Sequence, residues 1–160
     1  MRSVHVQVPA FQEPEVGSTL AAITDQSTPP QTNVAVEAWV TRSEDESGRC
    51  STWQSASAVD GVTVHNAPSG KLSTRNAAHN HAAGNGADVI VSWDADAPPI
   101  GDGVLEAITR QAFDSRVSLV NSTPVSADGS VLGALIQAGS RVEDTLAPHV
   151  NGQLHSFPVE

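Results

Sequence analysis

Valines at positions 4, 6 and 8 alternate with polar residues, and this period of two predicts a strand from Val4 to Val8, stopped by Pro9. Pro14-Glu15 then opens a helical stretch through Leu20, Ala21, Ala22 and Ile23, because proline and acid both suit a first helical turn. After a Ser27-Thr28-Pro29-Pro30 loop, Val34 to Val40 reads as a second strand. Arg42 to Ser57 is polar and loop-like, with acids clustered at Glu44, Asp45 and Glu46. Gly61 to His65 is a third strand, ended by Pro68-Ser69-Gly70. Leu72 to Ala83 lacks breakers and predicts a helix, capped by Gly84-Asn85-Gly86. Ala87 to Trp93 carries Val89-Ile90-Val91, apolar on both faces, as in a central strand of a parallel sheet. A helix over Val104 to Phe113, a strand over Val117 to Val120 and a helix over Val131 to Leu146 follow, with one more strand around Gln153 to Phe157.

This order predicts an α/β fold: a three-layer sandwich with a mostly parallel central sheet, Rossmann-like, in one domain spanning 1–160. Ligands of such sheets bind outside the carboxyl ends of the strands. The chain's 160 residues are enough for one domain with a sizeable core.

Charge narrows the chemistry. Eighteen acidic against eight basic residues give a net charge of −10, and Lys71 is the only lysine. A basic footprint for nucleic acid is missing. Acid excess with almost no lysine also suits a salt-adapted organism or its virus. The single cysteine, Cys50, rules out an internal disulfide and a cysteine-based zinc site. No apolar run approaches the length that spans a bilayer, and the N-terminus lacks the apolar middle of a signal peptide, so a cytoplasmic location is expected, with peripheral membrane association left open.

Three segments carry candidate chemistry. In Trp93-Asp94-Ala95-Asp96, an apolar strand runs into two carboxylates one residue apart, able to turn toward one hard cation such as Mg²⁺ or Mn²⁺. In Gly70-Lys71-Leu72-Ser73-Thr74-Arg75, a glycine turn opens a helix with two cations four residues apart on one face, a setting for an anionic phosphate. In Pro9-Ala10-Phe11-Gln12-Glu13, a strand ends in a loop able to stack a base with Phe11 and accept a hydrogen bond from it with Glu13, the alternative being a turn whose Phe11 packs into the core. His79 and His81, two apart on a helix, point to different faces and read as surface residues, while His155 is a candidate to complete the metal shell of Asp96.

Together these segments resemble family 2 glycosyltransferases. Pro9-Ala10-Phe11-Gln12-Glu13 is similar to their P-x-[YF]-N-E opening, with glutamine in place of asparagine. Gly70-Lys71 through Arg75-Asn76 is similar to their G-K-x-x-x-R-N segment, and Val89 to Asp96 to their strand and D-x-D. The resemblance covers Val4 to about Pro99, and Asn151 to Phe157 is similar to a later glycine-containing strand. It implies the GT-A fold, a nucleoside-diphosphate sugar as donor, and a glycan, lipid or protein hydroxyl as acceptor. It also implies roles: Pro9, Phe11 and Glu13 contact the nucleoside, Lys71 and Arg75 lie near base or phosphate, Asp94 leans toward the ribose or the metal, and Asp96 holds the metal.

Two departures temper the implication. The acidic pair that usually follows the second strand is replaced by Thr41-Arg42-Ser43-Glu44. The family's catalytic base lies beyond the sugar-binding strand, so none can be named here, Glu143 and Asp144 being candidates by composition only. The alternative expectation is therefore a shortened, non-catalytic relative that serves as a nucleotide-binding or assembly module, for which a homo-oligomer is plausible through an exposed sheet edge.

Overall fold

In a computed structural model of the protein, four strands form one sheet in the order β3-β2-β1-β4, all parallel. Residues 1–43 and 50–114 are described, and the account concerns the unit Met1–Phe113. The elements are β1 (Arg2–Ala10), α1 (Val16–Thr24), β2 (Thr32–Val40), α2 (Ser51–Ser57), β3 (Val62–Asn66), α3 (Lys71–Gly84), β4 (Val89–Ser92) and α4 (Val104–Ala112). The α/β architecture with a parallel sheet flanked by helices is the one the alternation of strand and helix patterns predicts. The expected strands at 117–120 and 153–157, the helix at 131–146, and Glu143, Asp144 and His155 lie outside the described residues, as does the acidic cluster at 44–46.

The sheet's first face is aliphatic. Val4, Val6, Val8, Val36, Ala38 and Val40 are buried there with Leu20 and Ile23 of α1, Ala56 of α2 and Leu105 of α4. On α1 the buried positions are Val16, Thr19, Leu20 and Ile23, the i, i+3, i+4, i+7 stripe of a helix packed on one side. Gly17 sits outside that stripe for a different reason. A Cβ there would stand 2.7 Å from the Ser55 carbonyl oxygen, so only glycine lets α1 and α2 approach this closely. Its amide donates to Ser55 Oγ at 3.0 Å.

Two expectations are revised. The polar stretch 42–57 contains α2, which has no apolar periodicity and is held by side chains: Thr52 Oγ1 accepts from the Glu13 amide, and Ser55 from Gly17. Pro9 does not stop β1, which continues to Ala10. Odd-numbered residues of β1 turn their backbone toward β4, as the Gln7 carbonyl accepting from the Trp93 amide shows, and even-numbered ones toward β2. Gln7 pairs with Ser92, the last residue of β4, so Pro9 faces that side beyond the strand's end. Its missing N–H removes no ladder bond.

β4, read from sequence as central, pairs among the described residues with β1 alone, whereas β1 and β2 each have neighbours on both sides. The connections from β1 run first toward β2 and β3; the one from β3 then returns past β1 to β4. The order of strands therefore switches direction between β1 and β4, and in open α/β sheets the crevice at such a switch receives the ligand. No described helix is long and apolar enough to cross a membrane.

Candidate functional site

A cleft of about 530 Å³ opens at the carboxyl ends of the strands. The loop after β1 contributes Pro9, Phe11 and Glu13, the start of α3 contributes Lys71 and Thr74, and the turn after β4 contributes Asp94 and Asp96. Three segments far apart in sequence are thus gathered by the parallel topology, because each leaves its strand, or enters its helix, on the same edge of the sheet.

Local structure fixes each segment. Gln12 takes a left-handed backbone conformation (φ 54°) between Phe11 and Glu13, and its side-chain amide donates to Ser43 Oγ at 3.2 Å. Phe11 is left more than half exposed beside the cleft, an uncommon position for an aromatic with no partner in the core. Thr41 and Thr74 both donate their hydroxyls to the Pro68 carbonyl, at 2.9 and 2.8 Å, which pins the loop that leads into α3. Gly70 then turns the chain with φ 99°, and no side chain caps the N-terminus of α3. Its first amides and Lys71 are free to meet an anion at the cleft wall.

After β4, the Trp93 indole N–H donates to the Ala97 carbonyl, and the Ala97 amide donates to the Asp94 carbonyl at 3.3 Å, closing a turn over 94–97. This turn presents Asp94 and Asp96 to the cleft. The Arg75 guanidinium donates to Asp94 Oδ1 at 2.8 Å. Arg75 is thus tied to the carboxylate rather than standing free beside Lys71. Where β2 ends, Thr41 lines the cleft, and among the described residues no carboxylate from that strand or its following loop stands alongside it.

A second cluster lies on the sheet's other face, under α3. Glu37 of β2 is almost wholly buried. His5 Nδ1 donates to its Oε1 at 2.7 Å, while its Oε2 faces His65 Nε2 at 3.1 Å and His81 Nε2 at 3.5 Å. Neither Glu37 Oε2 nor His65 Nε2 makes a hydrogen bond, so the 3.1 Å approach is close but misaligned. Trp39 stacks on His65 with ring centres 4.4 Å apart and planes 17° apart, and meets His81 edge-on. Burial lowers the pKa of His65, reinforced by the neighbouring His81 and opposed by Glu37.

Sequence reading missed this cluster. His81 was expected at the surface, yet it reaches the sheet across one flank of α3, and His79 reaches Ser92 Oγ across the other, at 2.8 Å. The signal available was Glu37 itself, an acid in the interior of a run from Val34 to Val40 that is otherwise suited to burial. Comparison of the chain with protein-family models, with curated proteins and with solved structures gives no match, so its kinship rests on no demonstrated relative.

Proposed function

We propose that the cleft binds a nucleoside diphosphate and that the protein is a metal-dependent glycosyltransferase of the GT-A type, moving a sugar from its nucleotide to a hydroxyl acceptor with inversion. The observation that carries this reading is the convergence of Phe11, Glu13, Lys71, Asp94 and Asp96 on one cleft at the switch point of a parallel sheet. An aromatic face for a base, a helix start with a cation for a diphosphate, and carboxylates for a divalent cation answer the three parts of such a ligand.

In this reading Pro9, Phe11 and Glu13 receive the nucleoside, and Lys71 meets base or phosphate. Arg75 acts through its hold on Asp94, whose other oxygen remains for the ribose or the metal. The donor set suits Mg²⁺ or Mn²⁺: exposed carboxylates at the cleft wall, all oxygen, with open space for phosphate oxygens. Asp96 would be the main ligand. A cation held there neutralises charge on the departing diphosphate.

Calorimetric titration of UDP and GDP, with and without Mn²⁺, tests the proposal. Binding of one nucleotide that requires Mn²⁺ and is lost in Asp96→Ala is expected. Absence of binding by both nucleotides, or undiminished metal-dependent binding in Asp96→Ala, overturns it. Binding without sugar transfer or donor hydrolysis would assign the chain to a non-catalytic nucleotide-binding role instead.

A further inference from the structure

Three ligating side chains converge under α3, remote from the carboxylates of the cleft. We infer that Glu37, His65 and His81 form a binding site for a transition-metal dication of the Zn²⁺ class, which clips α3 to β2 and β3.

The geometry places two of the three ligand edges at the size of a metal shell. One atom from each residue, a carboxylate oxygen or an imidazole nitrogen, lies within 4.8 Å of the other two. The Glu37 Oε2 separations of 3.1 and 3.5 Å from the two Nε2 atoms bracket the roughly 3.3 Å edge expected of a tetrahedron with Zn–N and Zn–O bonds of about 2.0–2.1 Å. Two imidazoles and one carboxylate are a ligand set that zinc uses with a fourth position left to water. Mixed nitrogen and oxygen donors select against Mg²⁺ and Ca²⁺, which take oxygen alone.

Electrostatics point the same way. Glu37 is 4% exposed, and a buried carboxylate requires a compensating charge or hydrogen bonds on both oxygens. His5 supplies one bond, to Oε1. Oε2 has none, and the buried His65 Nε2 opposite it has none either. A carboxylate oxygen and an imidazole nitrogen that approach to 3.1 Å without a well-aligned hydrogen bond are what a shared cation resolves. With Nδ1–H committed to Oε1, His5 also fixes the orientation of the carboxylate, the supporting role that partners of metal ligands commonly play.

The site has an entry path. Side-chain exposure rises from 5% at Glu37 to 23% at His65 and 38% at His81, so the cluster opens to solvent along the α3 flank. It is separate from the cleft, since His81 stands about 15 Å along the helix from Lys71. The inference stands whether or not the cleft binds nucleotides.

The test uses the untagged full chain, freed of metal by chelator and titrated with Zn²⁺ and with Co²⁺. One equivalent of Zn²⁺ should bind and raise Tm, and Co²⁺ should develop the intense visible bands of a four-coordinate site. His81→Ala, a half-exposed helix position where alanine favours folding, should weaken Zn²⁺ binding by more than about 100-fold, beyond the 10- to 100-fold typical of losing a supporting partner. Glu37→Gln should likewise abolish the Co²⁺ bands, and Asp96→Ala should leave them intact. Failure of the wild-type chain to bind one equivalent overturns the inference. So do bands that persist in His81→Ala, or that vanish in Asp96→Ala.

Discussion

The two faces of the sheet are built from the same strands by opposite means. On one face the row Val62–Val36–Val6–Val91 crosses all four strands in register, aliphatic from edge to edge. One residue further along, the row Thr63–Glu37–Gln7–Ser92 crosses them again on the other face, and every member is polar. Alternation alone separates the two rows. The first needs nothing but volume and water exclusion. The second leaves specific obligations: Glu37 is met on one oxygen, and Gln7, fully buried, has neither side-chain atom hydrogen-bonded. A face that forgoes stability in this way reads as one held for another purpose, and α3, which covers it, also supplies Lys71 to the cleft.

The largest test of this contrast is on the aliphatic face. Leu20→Ala, at a fully buried side chain, should cost about 2–5 kcal/mol in denaturant unfolding. A loss well under this range would mean that the aliphatic face is not what holds the fold. On the polar face the sign should reverse. Gln7→Leu removes two unpartnered buried atoms at similar size and should gain on the order of 1 kcal/mol. Destabilisation of that size would show that the amide has a partner worth keeping.

The smallest effect concerns the rim of the aliphatic side. Asp102 accepts from the Ser27 amide at 2.9 Å, and this bond, with others from Ser27 and Gly103, holds its pKa below the usual 3.8. A depressed carboxyl pKa contributes stability that is present above the unfolded value and lost as pH falls through the folded one. In Asp102→Asn, thermal unfolding should therefore show a slightly lower Tm at pH 7 and a shallower decline below pH 3.8 than the wild type. An unchanged acid profile would deny the bond any part in stability.

Much of this was legible along the chain. Strands β1 to β4 announce themselves by valine alternation or a short apolar run, and α3 and α4 by uninterrupted helical stretches that each follow a glycine. The segments that line the cleft were also visible, because each is a local motif at the end of an element: Pro9 to Glu13, Gly70 to Arg75, and Asp94 to Asp96. Helix α2 was hidden since its hold on α1 and on the loop before it comes from the Ser55 and Thr52 hydroxyls, residues that read as loop. The pairing of Arg75 with Asp94 was hidden because it joins two motifs that had been read separately. The Glu37 cluster was hidden most deeply. Its members stand on β1, β2, β3 and α3, and only the strand order brings positions 5, 37, 65 and 81 together.

The position of β1 also bears on how the chain comes to be folded. This strand is synthesised well before one of its two neighbours, β4, and the contact between Ser3 and Asp88 spans 85 residues. At ribosomal rates of roughly 5–20 residues per second, the wait between them is on the order of ten seconds. Through that interval β1 can pair with β2 but has an open edge on its other side, the feature that invites strand addition from another chain. The Ser3 amide, which donates to the Asp88 carboxylate at 2.7 Å, marks where that edge is finally closed. Whatever shields a nascent chain has to cover β1 until residue 92 has emerged.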